Sequence, residues 1–354
     1  MPKSDAQNSV GAGIFPPLPS FFGKLVSFLL TLILTFIGLM AVTFVIGRVL
    51  PTDPAMAIVG NRASEEVYQA MRLQLGLDKP IIVQFWLFLK SALQGDFGQS
   101  IMTSRPVVDD IKRFFPATLE LATLATFLGI IIGIPMGVVA AVNQGRIIDH
   151  IVRVLGLIGY SVPIFWLGMV ALLVFYARLD WLPGPGRYEF YYEGVVEPVT
   201  GVILIDSAMA GEWDVFKNAL GHIILPASML AFFSLAYIAR MTRSFMLDQL
   251  NQEYVLTARV KGLPERAVIW NHAFRNVLVQ LITVIGLSYA NLLEGSVLTE
   301  TVFAWPGIGL YITNSLFNAD MNAVIGGTVA VGVCFVGINM LSDILYRMVD
   351  PRAR

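Results

Sequence analysis

Long uncharged apolar runs alternate with polar segments along almost the whole chain. The runs are Leu25–Gly47, Leu121–Val142, Val154–Ala177, Ile223–Ala239, Val277–Leu293 and Ala323–Ser342. At about 1.5 Å of rise per residue, about 20 such residues cross the roughly 30 Å hydrocarbon layer. The pattern therefore predicts six membrane helices and an all-α polytopic membrane protein. The first run ends in Arg48-Val-Leu-Pro51 and not in a small-residue cleavage site, so it reads as a retained helix.

The segments between the runs carry their own signals. Residues 1–20 hold Gly11, Gly13, Pro16, Pro17 and Pro19 with no period, as expected of a flexible tail. Within 48–114, Ser64 can cap a helix opening on Glu65-Glu66, and Gly76 can stop it. Pro80 suits the first turn of a second helix reaching about Ala92. Its apolar core, Ile81–Leu89, is too short to span before Lys90, so 48–114 reads as an outer helical insertion. The loop 178–222 opens on Trp181-Leu-Pro-Gly-Pro-Gly186. It then mixes Tyr188, Phe190, Tyr191 and Tyr192 with Glu189, Glu193, Glu197 and Asp206. Such a loop is either hydrated with an interfacial aromatic belt or a docking surface for an external component.

Composition narrows the classes. The chain of 354 residues is 56% hydrophobic and only 14% charged, with mean hydropathy +0.70, far below the roughly 25% charge of soluble domains. Its 24 basic and 25 acidic residues nearly cancel, so no nucleic-acid partner is expected. One cysteine, Cys334, excludes an intrachain disulfide. His150, His222 and His272 share no metal-ligand spacing. With the N-terminus inside, the inner segments hold 13 basic and 7 acidic residues, and the outer ones 11 and 17. That asymmetry follows the positive-inside rule and predicts cytosolic termini at both ends, with membrane lipid around the spans.

Inside the spans, Gly129, Gly133 and Gly137 fall on one helical face, where another backbone can approach closely. Pro135, Pro163 and Pro226 interrupt three runs. Glu120 follows Pro116 by four residues and is read as sitting at the outer beginning of its helix, facing the favourable end of the dipole. Gln280, Thr283, Ser288, Asn291 and Asn339 are candidate translocation-path residues, or equally helix-to-helix bonding groups.

The inner loop 240–276 has a helical grammar of its own. Phe245, Leu247, Leu250, Tyr254, Val255 and Ala258 share one broad face. Gly262 breaks that run, and Pro264 can start a short helix through His272. Trp270 and Ile269 give that helix an apolar side. No GxxxxGK[ST] phosphate loop occurs, and no paired-carboxylate or Ser-His-Asp arrangement has defensible spacing. An enzyme is therefore not expected in this chain, nor a catalytic, metal or cofactor site.

The segment Tyr254–Pro264 (YVLTARVKGLP), followed by Ile269–Asn276 (IWNHAFRN), resembles the permease signature EAA-x3-G-x9-I-x-L-P of binding-protein-dependent ABC importers. With its glycine on Gly262, the signature matches literally at Ala258 and Gly262. The dipeptide/oligopeptide branch reads TAR-x-KG and HA-x-RN at these places, as this chain does. Leu75–Pro80, Gly95–Ser100, Pro116–Leu121, Glu300–Gly307 and Asp343–Arg352 are similar to the B-type subunit of that branch, and Val199–Ser207 looks like the dipeptide permease in particular.

The resemblance implies a six-helix type I importer transmembrane domain over residues 21–354, in the bacterial cytoplasmic (inner) membrane. It implies a C-type permease partner, two cytosolic ABC ATPase subunits and an external solute-binding protein. Peptide would be the cargo, and ATP and Mg would be bound by the ATPases. The loop 240–276 becomes a coupling loop, with Thr257, Ala258, Lys261, Gly262, Leu263, Pro264, Glu265, Arg266, Trp270, His272 and Arg275 as its contact residues. Glutathione, nickel, haem-associated peptide or opine cargo is the alternative within the class, and an ion-coupled carrier the alternative outside it.

Overall fold

The computed structural model describes residues 21–49, 54–60, 63–74 and 76–349, all helix, turn and loop apart from one isolated bridge between Gln99 and Pro106. The tail 1–20, Leu75 of the Leu75–Pro80 segment and the end of Asp343–Arg352 lie outside the described residues. Helix α1 (Phe21–Val49) is followed by the short α2 (Pro54–Val59), α3 (Glu65–Gln74) and α4 (Ile81–Leu93). Then come α5 (Val107–Val142), α6 (Ile147–Ser161) and α7 (Ile164–Ala171), the last continuing as a π-helical segment Leu172–Arg178. The segment 178–222 is not all loop: it holds α8 (Ile203–Ala210) and the first turns of α9 (Trp213–Leu250). Then follow α10 (Glu253–Val260), α11 (Glu265–Ala267), α12 (Phe274–Val302), α13 (Ile308–Phe317) and α14 (Met321–Val349).

Among the described residues, four helices are long and apolar enough to cross a membrane, or five if the bent pair α6–α7 counts as one. The described apolar stretch of α1, Leu30–Val45, is shorter. The expectation of a continuous helix over Val154–Ala177 is corrected. The chain turns by 99° between Ser161 and Ile164, and Val162 is extended at φ −86°, ψ 125°. The cause is Pro163, which lacks an N–H and pushes the residue before it out of the α region.

The centre of the bundle is α5 lying along α9, and its contact is built on the glycine stripe. A Cβ at Gly129 would fall 2.6 Å from Ser234 Oγ, one at Gly133 3.1 Å from the Leu235 carbonyl oxygen, and one at Gly137 2.6 Å from the Ala239 carbonyl oxygen. Gly137→Ala therefore forces the two backbones apart. A destabilisation of about 1–3 kcal/mol is expected, read as a lowered thermal unfolding midpoint in detergent. Gly295→Ala, with nothing within 4 Å of its Cβ, serves as the neutral control.

Two apolar cores sit at opposite ends of this pair. One gathers Leu121, Ile223, Leu230, Leu292 and Trp305, and the other Val138, Met246, Val255, Ala258, Val268, Ala273 and Val277. Helix α4 packs beside the bundle, with Leu89 and Ala92 against Met40, Ile325 and Val329, and with Phe85 and Phe88 on Phe44.

Candidate functional site

The loop after α9 is built on the second core. Ala258, Val255 and Val268 are buried there with Ala273 and Val277, which fixes α10 and the stretch Val268–Ala273 just after α11 to the ends of α5, α9 and α12. Helix α10 ends in hydrogen bonds from Lys261 N to Thr257 O (3.0 Å), Gly262 N to Arg259 O (2.9 Å) and Leu263 N to Ala258 O (3.3 Å). Gly262 then takes φ +76°, the left-handed conformation that glycine adopts without a Cβ penalty. Across this turn, Arg259 donates to both carboxylate oxygens of Glu265, at 2.7 and 3.3 Å. That hydrogen-bonded Arg259 guanidinium holds the Glu265 carboxyl below its usual range, against the small opposing effect of burial.

One expectation about this loop changes. Helix α11 does not end at His272 as a free-standing element. Three α-helical residues pass into a π-turn, Val268–Ala273, and on into α12, so the loop is rigidly joined to a membrane helix. Glu265 is exposed and is clamped across the turn by Arg259, a pairing that sequence reasoning did not single out. Thr257, Lys261, Gly262, Leu263, Pro264, Arg266, Trp270 and Arg275 are exposed, His272 is half-buried, and Ala258 is buried. Beside them, Leu256 and Val260 stand open at 61% and 80% exposure.

A second feature at this end of the bundle lies beyond the notice of sequence patterns. Buried Asp149 at the start of α6 accepts from Arg243 of α9 at 2.5 and 2.8 Å and from Gly145 N at 3.0 Å. The pair is separated by 94 positions, and neither residue has a local motif to announce it.

At the other end, the Glu300–Gly307 segment closes α12 onto α5 and α13. Glu300 is fully buried. It accepts from Thr118 Oγ1 (2.6 Å), Ser296 Oγ (3.1 Å) and Leu310 N (2.9 Å). Thr118 Oγ1 in turn accepts from Ile308 N at 2.8 Å, and Trp305 Nε1 donates to the Ala117 carbonyl oxygen at 2.9 Å. Glu300 thus satisfies one of the N–H groups that lack a helical partner at the start of α13. The sequence marks the segment that holds Glu300, but nothing in it marks the carboxylate itself as a site residue.

The expectation for Glu120 is corrected. Helix α5 begins at Val107, so Glu120 lies more than three turns inside it and not at its start. It is buried and paired with Arg187 of the outer loop, at 2.5 and 3.1 Å, and it accepts from Leu204 N at 3.0 Å. Arg187 also donates to the Gly201 carbonyl oxygen at 2.8 Å. The outer loop is therefore pinned to the bundle at a charged pair. Asp206 steadies the same loop. Burial pushes its carboxyl up, but donors from Thr200 and Gly201 outweigh that and hold it below the usual range.

The five candidate path residues separate. Ser288 is buried, with its Oγ 2.9 Å from Ser234 Oγ, and so joins α12 to α9. Gln280 and Asn291 are exposed, and Thr283 and Asn339 are half-buried. Gln280, Leu287, Asn291, Glu294 and Leu298 are all exposed along one face of α12, as their spacing of three, four and seven requires.

This geometry has relatives. The descriptions "Binding-protein-dependent transport system inner membrane component" and "Binding-prot-dependent transport system membrane comp, N-term" match residues 133–354 and 22–122. The chain is 45% identical over 321 residues to the probable D,D-dipeptide transport system permease protein DdpB of Escherichia coli (strain K12), covering 91% of this chain and 94% of that protein. The chain belongs to the dipeptide/oligopeptide permease family of binding-protein-dependent transport systems. It is also 41% identical to the di/tripeptide transport system permease protein DppB of Pseudomonas aeruginosa (strain UCBPP-PA14), over 91% of this chain and 96% of that protein. Among solved structures, an inward-facing MetNI methionine ABC transporter chain matches at 18% identity and TM-score 0.47, over 66% of this permease and 93% of that chain.

Proposed function

We propose that this permease forms one half of the translocation path of an ATP-driven importer of dipeptides or short oligopeptides. A related C-type permease forms the other half. Two ABC ATPases seat on the coupling surface around α10 and α11, and an external solute-binding protein delivers the peptide. ATP and Mg belong to the ATPases. The path has six spans, α1 being the first and the bent α6–α7 pair the third, with both termini cytosolic in the inner membrane.

The observation that carries this reading is the exposed apolar surface of α10–α11, with Leu256, Val260, Leu263 and Trp270 open above a buried anchor. Such a patch on a short rigid element marks a protein contact, and its direct passage into α12 gives a route for force to reach the bundle. Along α12 the exposed Gln280, Asn291 and Glu294 put polar groups on a membrane helix, where they favour a water-filled path or a partner over lipid. The D,D-dipeptide, di/tripeptide and dipeptide descriptions of the relatives support peptide as cargo.

Reconstituted with the second permease, both ATPases and the binding protein, the chain is expected to concentrate labelled dipeptide in vesicles only when ATP is supplied. Alone it is expected to do neither hydrolysis nor accumulation. Accumulation by this chain alone on a proton gradient would favour an ion-coupled carrier instead.

A further inference from the structure

A cleft of about 1090 Å³ opens on the outer side. It lies between the first turns of α5, the loop after the π-helical segment, His222 of α9 and the turn at Ala304–Pro306. Small-ligand sites occupy roughly 300–1,000 Å³, so the cleft has room for a short peptide. Its walls mix polar and apolar side chains, and they carry opposite charges on different elements: Arg113 on α5, and Glu189 and Glu193 on the outer loop.

Two groups in the cleft keep bonding capacity that the described residues leave unused. His222 is 95% covered, being 5% exposed, and its Nδ1 lies 3.0 Å from the Asn218 carbonyl oxygen. That contact places the neutral ring's proton on Nδ1 and leaves Nε2 as an acceptor. No described group donates to it. Arg113 lies over the Phe114 ring at 5.6 Å and has no ion pair among the described residues. The other cations of the cleft are engaged, Lys112 with Asp109 at 3.5 Å and Arg187 with Glu120. A free acceptor, loop acids and one unengaged guanidinium match the two ends of a zwitterionic peptide.

We propose that this cleft is a peptide-holding site on the permease itself, with His222 Nε2 and the loop acids receiving the amino end and Arg113 the carboxylate. The inference rests on the peptide-cargo reading above. It adds a station beside the Glu300–Gly307 turn, before the membrane is crossed.

The test uses the assembled permease pair with its ATPases in nanodiscs, without binding protein. Saturable binding of labelled dialanine is compared with that of N-acetyl-dialanine and dialanine amide. Each cap is expected to weaken binding about tenfold, the effect of losing one charged hydrogen bond. Arg113→Gln should erase the preference for the free carboxylate and leave the preference for the free amine. His222→Phe should do the reverse. Because His222 is buried and its variant can misfold, the exposed Arg113 decides the matter alone. Unchanged preference for the free carboxylate in Arg113→Gln, or no saturable binding in the unsubstituted complex, overturns the proposal. Dialanine uptake by the complete importer is measured in parallel. Uptake that persists while the cleft fails its test overturns the cleft alone, and uptake absent from the unsubstituted importer overturns the cargo reading.

Discussion

Glu300→Ala is expected to cost the permease the packing of α13 on α5 and α12. The carboxylate accepts from Thr118, Ser296 and Leu310 in a fully buried site. Its removal strands the Thr118 hydroxyl and the Leu310 N–H, each left unsatisfied at about 1–3 kcal/mol, while Ser296 keeps the Leu293 carbonyl oxygen at 3.0 Å. The expected result is a sharply lower thermal midpoint in detergent, with peptide uptake reduced by more than the fall in membrane abundance. Glu300→Gln retains one acceptor oxygen and should lie between the two. Gly309→Ala tests the same packing from the other side, because its Cβ would sit 2.8 Å from both Glu300 Oε2 and the Val297 Cα. Glu300→Ala with unsubstituted stability and uptake would show that this cluster does not hold α13 to α5 and α12.

Gly262→Asp is expected to uncouple the importer while leaving the chain inserted. Nothing of this chain lies within 4 Å of a Cβ at Gly262, so the side chain meets no internal clash. Its φ of +76° is one that Asp and Asn tolerate better than other residues. Damage to function must then come from what is brought against the turn. Uptake should fall about tenfold or more at matched abundance, as expected when a charge is forced unpaired into a protein contact. Gly262→Asn, of equal shape without the charge, should retain more. Equal, full activity in both would mean the turn meets no partner.

Much of the fold was legible because membrane solvent leaves a strong mark on sequence. Apolar runs placed the helices containing Leu121–Val142, Ile223–Ala239, Val277–Leu293 and Ala323–Ser342, and the glycine spacing marked the α5 face that takes a close backbone, without naming α9 as its partner. Gly262 and Pro264 marked the turn between α10 and α11. What stayed hidden is of two kinds. Pro163 could be seen, but a proline in a membrane helix gives no angle, and the 99° turn depends on what packs around it. The pairs Asp149–Arg243, Glu120–Arg187 and Thr118–Glu300 join residues 94, 67 and 182 positions apart. A single sequence carries no signal linking such partners. Glu120 was misplaced for the related reason that α5 continues outward past the apolar run, through polar residues that still form its first turns.

Whether α10 and α11 seat an ATPase and pass its motion to α12 is decided by site-directed cross-linking. Arg266→Cys is made in a Cys334→Ser background, the native thiol being the chain's single cysteine. The assembled importer is then treated with a short bismaleimide, with Tyr191→Cys on the outer loop as the control. The expected product joins Arg266→Cys to an engineered cysteine on the ATPase surface, with a yield that changes when ATP is bound, and none forms from Tyr191→Cys. Failure of positions 260, 263 and 266 alike to cross-link, in an importer that still hydrolyses ATP and takes up peptide, would show that the ATPase seats elsewhere.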